Sequence, residues 1–222
     1  MTRAAVVFDF DGVLADTEGL HLAAFQETFT ARGWTLDRDA YFSRYLGFDD
    51  RDLVAEFLAD QGVSASAAEQ AAIIIDKGRR YDARVASGHV LFPGAVPAVE
   101  RLGAEFNLAI ASGSLRGEIL AILRANQLDR AIPIVVGADD VKESKPAPDS
   151  YALAVEKLGV APAAAVAIED SHWGLVAARA AGLRTIGVTT SYPASALGLA
   201  HAVVSSLDEV TADLVRRLLT VR

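Results

Sequence analysis

Ala4-Ala5-Val6-Val7-Phe8-Asp9-Phe10-Asp11-Gly12-Val13 begins with five apolar residues and runs into two carboxylates and a glycine. An unbroken apolar run of four to six residues suits a strand buried on both faces. The same pattern recurs along the chain. Leu108–Ala111 leads into Ser112, Ile132–Val136 into Gly137-Ala138-Asp139-Asp140, Ala163–Ile168 into Glu169-Asp170, and Thr185–Val188 into Thr189-Thr190-Ser191. Ala202–Val204 is a weaker sixth run. Between them, apolar residues fall three or four apart: Val96, Val99, Leu102 and Phe106; Ile119, Ile122 and Leu123; Tyr151, Ala154, Val155 and Leu158; Leu175, Ala178 and Ala181. Gly159 and Gly182 follow two of these patterns, where a left-handed helix terminus favours glycine. Strand alternating with helix predicts an α/β fold, a doubly wound parallel sheet with helices on both faces.

One stretch interrupts the alternation. Residues 16–88 hold no clear strand and read as consecutive helices: Leu20–Ala31 ending at Gly33, Asp50–Gln61 ending at Gly62, and Ala65–Val85. A helical domain is therefore expected at 16–88, inserted into an α/β core made of 1–15 and 89–222. The length of 222 residues, with 52% hydrophobic and 23% charged, suits a packed core rather than disorder. With 21 basic against 29 acidic residues and a net charge of −8, the chain is a poor partner for nucleic acid. The absence of cysteine excludes disulfides, thiolate metal sites and Cys nucleophiles. No apolar run reaches the ~18–20 residues of a membrane span. The short apolar run before Asp9 does not make a signal-peptide core. The expectation is a soluble cytoplasmic protein, monomeric or a small homo-oligomer.

In an open parallel sheet, ligands bind at the carboxyl ends of the strands. Four chemically useful groups fall there. Asp9 and Asp11 can face one site if the chain turns at Gly12; one carboxylate can attack an electrophile while the other moves a proton. The plainer reading is a turn capping a strand. Ser112-Gly113-Ser114 offers hydroxyls and backbone N–H groups to an anion, or simply a helix N-cap. Lys145 sits in Ser144-Lys145-Pro146-Ala147-Pro148-Asp149, where two prolines stiffen the loop. It is either a fixed positive charge at the site or a solvated surface lysine, the expected fate of Lys142. The adjacent Glu169 and Asp170 repel each other unless a cation is present, and hard oxygen ligands suit Mg²⁺. Otherwise they form a charged loop.

Taken together and in this order, Asp9-Phe10-Asp11-Gly12-Val13-Leu14-Ala15-Asp16-Thr17-Glu18, Ala111-Ser112-Gly113-Ser114, Lys145-Pro146-Ala147-Pro148-Asp149 and Ile168-Glu169-Asp170-Ser171 resemble the four motifs of the haloacid dehalogenase superfamily. More narrowly, the chain resembles its β-phosphoglucomutase-like and phosphatase branch, which has a Rossmann-like core and a helical cap after the first motif. The resemblance covers essentially the whole chain. It implies that Asp9 is the nucleophile forming an aspartyl-phosphate and Asp11 the general acid/base. It implies Mg²⁺ held by the Asp9 carboxylate, the Asp11 backbone carbonyl and Asp170, with Glu169 near or in the metal shell. Ser112 and the Gly113 N–H would hold the phosphoryl group, and Lys145 would balance charge. Dehalogenases and phosphonate-cleaving members lack an acid at the position of Asp11, so Asp11 argues for phosphate esters.

The resemblance also implies a cap that closes over the site, hinged at Asp16–Thr17 and Val90–Gly94, with cap residues choosing the substrate. His21 falls where sugar phosphomutases of this branch have a histidine. Lys77, before Arg79-Arg80-Tyr81, resembles a cap lysine that contacts substrate. Arg51 falls near an arginine that grips the distal phosphate of a bisphosphate, although Gly47-Phe48-Asp49-Asp50 departs from the mutase loop. The plainer readings are a surface or capping His21 and a solvated face for Lys77, Arg79 and Arg80. His89, His172 and His201 are assigned structural or exposed roles, and Trp34 and Trp173 packing. The expected activity is hydrolysis of a small phosphorylated metabolite such as a sugar phosphate. A sugar phosphomutase is the alternative, and a non-catalytic binding protein of the same fold is the remote one.

Overall fold

The computed structural model describes residues 3–46, 48–85 and 90–220; Gly47, Gly88 and His89, named above, lie outside them. Each apolar run becomes a strand: β1 (Ala5–Phe8), β2 (Asn107–Ala111), β3 (Ile134–Val136), β4 (Ala165–Glu169), β5 (Arg184–Val188) and β6 (Ala202–Val204). They form one parallel sheet in the order β3-β2-β1-β4-β5-β6. The order reverses direction at β1, so β1 and β4 flank the crevice where such sheets hold ligands.

Side-chain alternation explains why uninterrupted apolar runs were needed. One face presents Ala5 and Val7, Ala109 and Ala111, Ala165 and Ala167. These pack with Tyr151, Ala154 and Val155 of helix α7 (Asp149–Leu158) and with Ala177 and Ala178 of helix α8 (His172–Ala180). The small alanines let both helices lie close to the sheet. The alternate residues, Val6, Phe8, Leu108, Ile110, Val166 and Ile168, point to the opposite face and are equally buried. Helices α5 (Ala95–Gly103), α6 (Arg116–Ala125) and α9 (Ala212–Thr220) also flank the sheet. Gly159 and Gly182 end α7 and α8 in the left-handed region, as their positions imply. Phe106, counted above with the α5 stripe, lies beyond that helix but is still buried.

The chain divides into two compact units, Met1–Asp16 with Leu91–Arg222, and Thr17–Val90. In the first unit the two connections to the second run side by side. Ala15 bridges to Leu91, and the Phe92 N–H donates to the Leu14 carbonyl at 3.0 Å. The regular elements among the second unit's described residues are all helical: α1 (Glu18–Thr30), α2 (Arg38–Ala40), a π-helical turn (Tyr41–Tyr45), α3 (Asp50–Asp60) and α4 (Ala67–Val85). Its core stacks Phe29 face to face on Phe57 at 3.9 Å, with Trp34 edge-on to both, so Trp34 does pack. Trp173 does not fit its packing assignment: it is 43% exposed at the start of α8.

Candidate active site

Asp9 extends the β1 ladder by one residue, its N–H donating to the Ile168 carbonyl at 2.9 Å. Because Phe8 pairs with Ile168, the residues that follow them emerge side by side at the crevice. Asp9, Glu169 and Asp170 are all buried and present carboxylate oxygens within 4.8 Å of one another. Lys145 arrives from the loop after β3, an edge strand separated from β1 by β2. Its Nζ stands 2.8 Å from Asp9 Oδ1 and 2.6 Å from Glu169 Oε1. It is buried, so the solvated reading of Lys145 is excluded, whereas Lys142 is exposed as expected.

The electrostatics follow from burial. Loss of hydration pushes the Asp9 carboxyl up to about 8; Lys145 opposes this, and Glu169 and Asp11 reinforce it. Burial works against the Lys145 ammonium too, but Asp9 and Glu169 more than reverse it and hold its pKa above the usual lysine value. Two like charges 4 Å apart repel by about 4 kcal/mol at an effective dielectric of about 20. Three clustered carboxylates facing one ammonium are therefore short of positive charge. An all-oxygen donor set with that deficit fits a hard divalent cation such as Mg²⁺.

Glu169 is the most heavily bonded of the three. Oε1 accepts from Lys145 and, at 2.9 Å, from the Tyr151 hydroxyl. Oε2 accepts the Asp170 N–H at 3.1 Å, the Ser171 N–H at 3.2 Å and the Ser171 hydroxyl at 2.9 Å. Ser171 also caps α8 through the Gly174 N–H. These donors make Glu169 an anchor within the protein, its oxygens already engaged.

Asp11 is oriented from β2. Its Oδ2 accepts from Ser114 Oγ at 2.6 Å and from Ser112 Oγ at 3.3 Å, while Ser112 Oγ accepts the Ser114 N–H at 3.0 Å. The N-cap reading of Ser112 does not hold. α6 starts at Arg116, whose N–H is taken by Asp139 at 2.8 Å. Gly113 lies between the two serines, partly buried. Gly12 makes the turn with φ +77°, and a Cβ there would sit 1.9 Å from Asp170 Oδ2 and 2.7 Å from Ser191 Oγ. Only glycine leaves room for that carboxylate. The Thr190 hydroxyl donates to the Gly12 carbonyl, tying the β5 loop to the same turn.

The structure thus gathers Asp9, Asp11, Ser112, Lys145, Glu169 and Asp170 at one end of the sheet. Within the helical unit, His21 and Lys77 come together. Lys77 is fully buried, not on a solvated face. Its Nζ donates to His21 Nδ1 at 2.8 Å and to Asp50 at 2.8 and 2.9 Å, and lies 4.9 Å over the Tyr81 ring. An ammonium only donates, so Nδ1 accepts and the His21 ring proton sits on Nε2. Arg51 folds back on Asp49 at 2.9 Å. Arg79 is exposed and Arg80 pairs with Glu27 and Asp76. His172 is exposed, and His201 accepts the Thr185 N–H through Nδ1 at 3.1 Å.

Sequence reading misses Tyr151, Gly174 and Asp50 as participants; Ser114 and Ser171 stand in its motifs, but not as the partners of Asp11 and Glu169. Tyr151 falls in the apolar stripe of α7 and reads there as a packing residue. Gly174 carried a signal: glycine inside a helix opposes propensity and implies a close approach.

Against known proteins, the profile of the haloacid dehalogenase-like hydrolase family matches residues 6–188. Protein CbbY of Rhodobacter capsulatus is 37% identical over 86% of this chain and 88% of its own length. A phosphorylated carbohydrates phosphatase of Thermotoga maritima is 30% identical over 82% and 83%. CbbY from Rhodobacter sphaeroides, solved once with phosphate and once with xylulose-1,5-bisphosphate, superposes with TM-score 0.85 at 34% identity, covering 94% of this chain and 96% of that one.

Proposed function

The chain belongs to the haloacid dehalogenase-like hydrolases, and on that footing we propose that it is a Mg²⁺-dependent phosphatase of small phosphorylated sugars working through a phosphoryl group carried on Asp9. The observation that carries this reading is the buried Asp9 carboxylate, paired to Lys145 at 2.8 Å beside Glu169 and Asp170. Asp9 attacks phosphorus, the Asp9–phosphorus bond forms, and the sugar oxygen leaves with a proton from Asp11. Asp11, oriented by Ser114 and Ser112, then takes a proton from water as it attacks phosphorus, releasing phosphate and Asp9. Lys145 holds its charge where carboxylate and phosphate meet, and Ser112 with the Gly113 N–H receives the phosphoryl oxygens. Asp9, Asp170 and the Asp11 carbonyl would hold Mg²⁺, with Glu169 beside them. Bound there, Mg²⁺ supplies positive charge against the approach of two anions.

The test is phosphate release with Mg²⁺ over a panel of sugar mono- and bisphosphates, including fructose 1-phosphate and the xylulose-1,5-bisphosphate found with the CbbY relative. Release from one or a few sugar phosphates, abolished by EDTA, is expected. Failure to turn over the panel and to bind beryllofluoride with Mg²⁺ would overturn the reading. The mutase alternative draws on the buried Lys77–His21 contact. It would show as conversion of β-glucose 1-phosphate to glucose 6-phosphate outrunning phosphate release.

A pH prediction follows for the metal-free protein. Asp9 titrates near 3.8 when unfolded and is pushed up to about 8 when folded. Between those values the folded state binds the extra proton, so stability falls as pH rises, by up to about 1.4 kcal/mol per unit. The melting temperature in EDTA is expected to decline from pH 5 to pH 8. Mg²⁺ should raise it more at pH 8 than at pH 5, because binding needs the ionised carboxylate. A flat profile in EDTA would contradict the burial of Asp9 as a charge-starved group.

A further inference from the structure

We infer that Tyr151 is a positioning residue for the reaction, acting through its hydroxyl on the Lys145–Glu169 pair; this rests on the phosphatase reading above. Tyr151 is fully buried in the first turn of α7, its ring wedged among the alanines of the sheet face. From that seat it meets the site twice. Its Oη donates to Glu169 Oε1 at 2.9 Å, the oxygen that also accepts from Lys145. Its ring lies under the Lys145 ammonium, 5.0 Å from Nζ, in cation–π range.

The consequence concerns where Lys145 spends its charge. Nζ lies between Asp9 Oδ1 at 2.8 Å and Glu169 Oε1 at 2.6 Å. The Tyr151 hydroxyl takes up part of the acceptor strength of Glu169 Oε1 and so limits the pull of that oxygen on the ammonium. Without it, Lys145 is the one described side-chain donor to Oε1, and the pair tightens at the expense of the Lys145–Asp9 contact. Glu169 cannot follow, because its other oxygen is held by Asp170, Ser171 and the Ser171 hydroxyl, and Gly174 lies directly against it. Lys145 is then displaced from the nucleophile and from the phosphoryl group it must neutralise. Tyr151 acts through Glu169 and Lys145, so its effect is expected in the chemical step more than in substrate capture.

Tyr151→Phe keeps the ring and removes only the hydroxyl. In the full chain with Mg²⁺, kcat on the best sugar phosphate of the panel is expected to fall on the order of tenfold, with KM within twofold. Beryllofluoride affinity, read by calorimetry, should fall in parallel. Tyr45→Phe is the control. Its hydroxyl donates to Asp60 Oδ2 at 2.5 Å in the helical unit, so it loses a comparable tyrosine–carboxylate bond and should leave kcat unchanged. A Tyr151→Phe kcat within twofold of an active parent overturns the inference and leaves the phosphatase reading standing. So does a variant that fails to fold, since the residue would then be structural alone. A parent that neither turns over the panel nor binds beryllofluoride removes the phosphatase reading, and this inference with it.

Discussion

Asp9→Asn is expected to lower Mg²⁺-dependent phosphate release by at least about 10⁴-fold while leaving the metal-free protein as stable as its parent or more so. The two halves of that expectation have one cause. An amide has nearly the shape of a carboxylate, so β1, the Ile168 contact and the packing of the strand end survive. It lacks the anionic oxygen that attacks phosphorus and that holds a cation. Yet Asp9 is the carboxylate that burial penalises most visibly, its pKa pushed up to about 8 beside Glu169 and Asp11. A neutral group there relieves the crowding of Asp9, Glu169 and Asp170, and Lys145 keeps its 2.6 Å partner Glu169. Phosphate release and thermal melting of the same preparation, each with Mg²⁺ and with EDTA, check both halves. The Mg²⁺-induced gain in melting temperature should shrink along with turnover. Retained Mg²⁺-dependent turnover would rule out Asp9 as the nucleophile.

Gly174→Ala is expected to destabilise the protein by about 3–5 kcal/mol and to abolish activity, although helix propensity alone says the opposite. Inside an exposed helix, alanine gains about 1 kcal/mol over glycine. At Gly78 in α4, where nothing lies within 4 Å of an added Cβ, that gain should be seen. At Gly174 the added Cβ would stand 1.7 Å from Glu169 Oε1 and 1.9 Å from its carboxyl carbon. Something must move, and the anchored group is Glu169, held by Lys145, Tyr151, Ser171 and two backbone N–H groups. Breaking a buried charge away from its partners costs about 3–5 kcal/mol, which outweighs the propensity gain. Chemical denaturation of Gly174→Ala beside Gly78→Ala separates the effects by sign. Equal stability in the two variants would show that Glu169 relaxes without cost.

How far each residue could be read depended on the range of the interaction that sets it. The six strands lie within two residues of the apolar runs, because a sheet buried on both faces imposes local composition directly. The helices α1, α3 and α4 were likewise visible from spacing and terminal glycines. α2 and the π-helical turn at Tyr41–Tyr45 were not, since one turn is too short to show a period; Asp37 starts that segment by accepting the Asp39 and Ala40 N–H groups. α9 also went unread. Its buried contribution is Val215, among charged neighbours Asp213, Arg216 and Arg217.

The sequence by itself determined the α/β alternation, the helical insertion and the placing of Asp9, Asp11, Ser112, Glu169 and Asp170 at strand ends. Hydrophobic period and strand-end chemistry are properties of neighbouring residues, so they survive in one dimension. Only the tertiary structure decided that Lys145 crosses from beyond β3 to lie between Asp9 and Glu169, that Lys77 is buried against His21 and Asp50, and that Tyr151 and Gly174 frame Glu169. Outside the local contacts of Glu169 itself, these interactions join side chains many residues apart. Whether a charge is hydrated or paired depends on what the folded chain brings beside it, and no pattern of neighbours along the sequence records that.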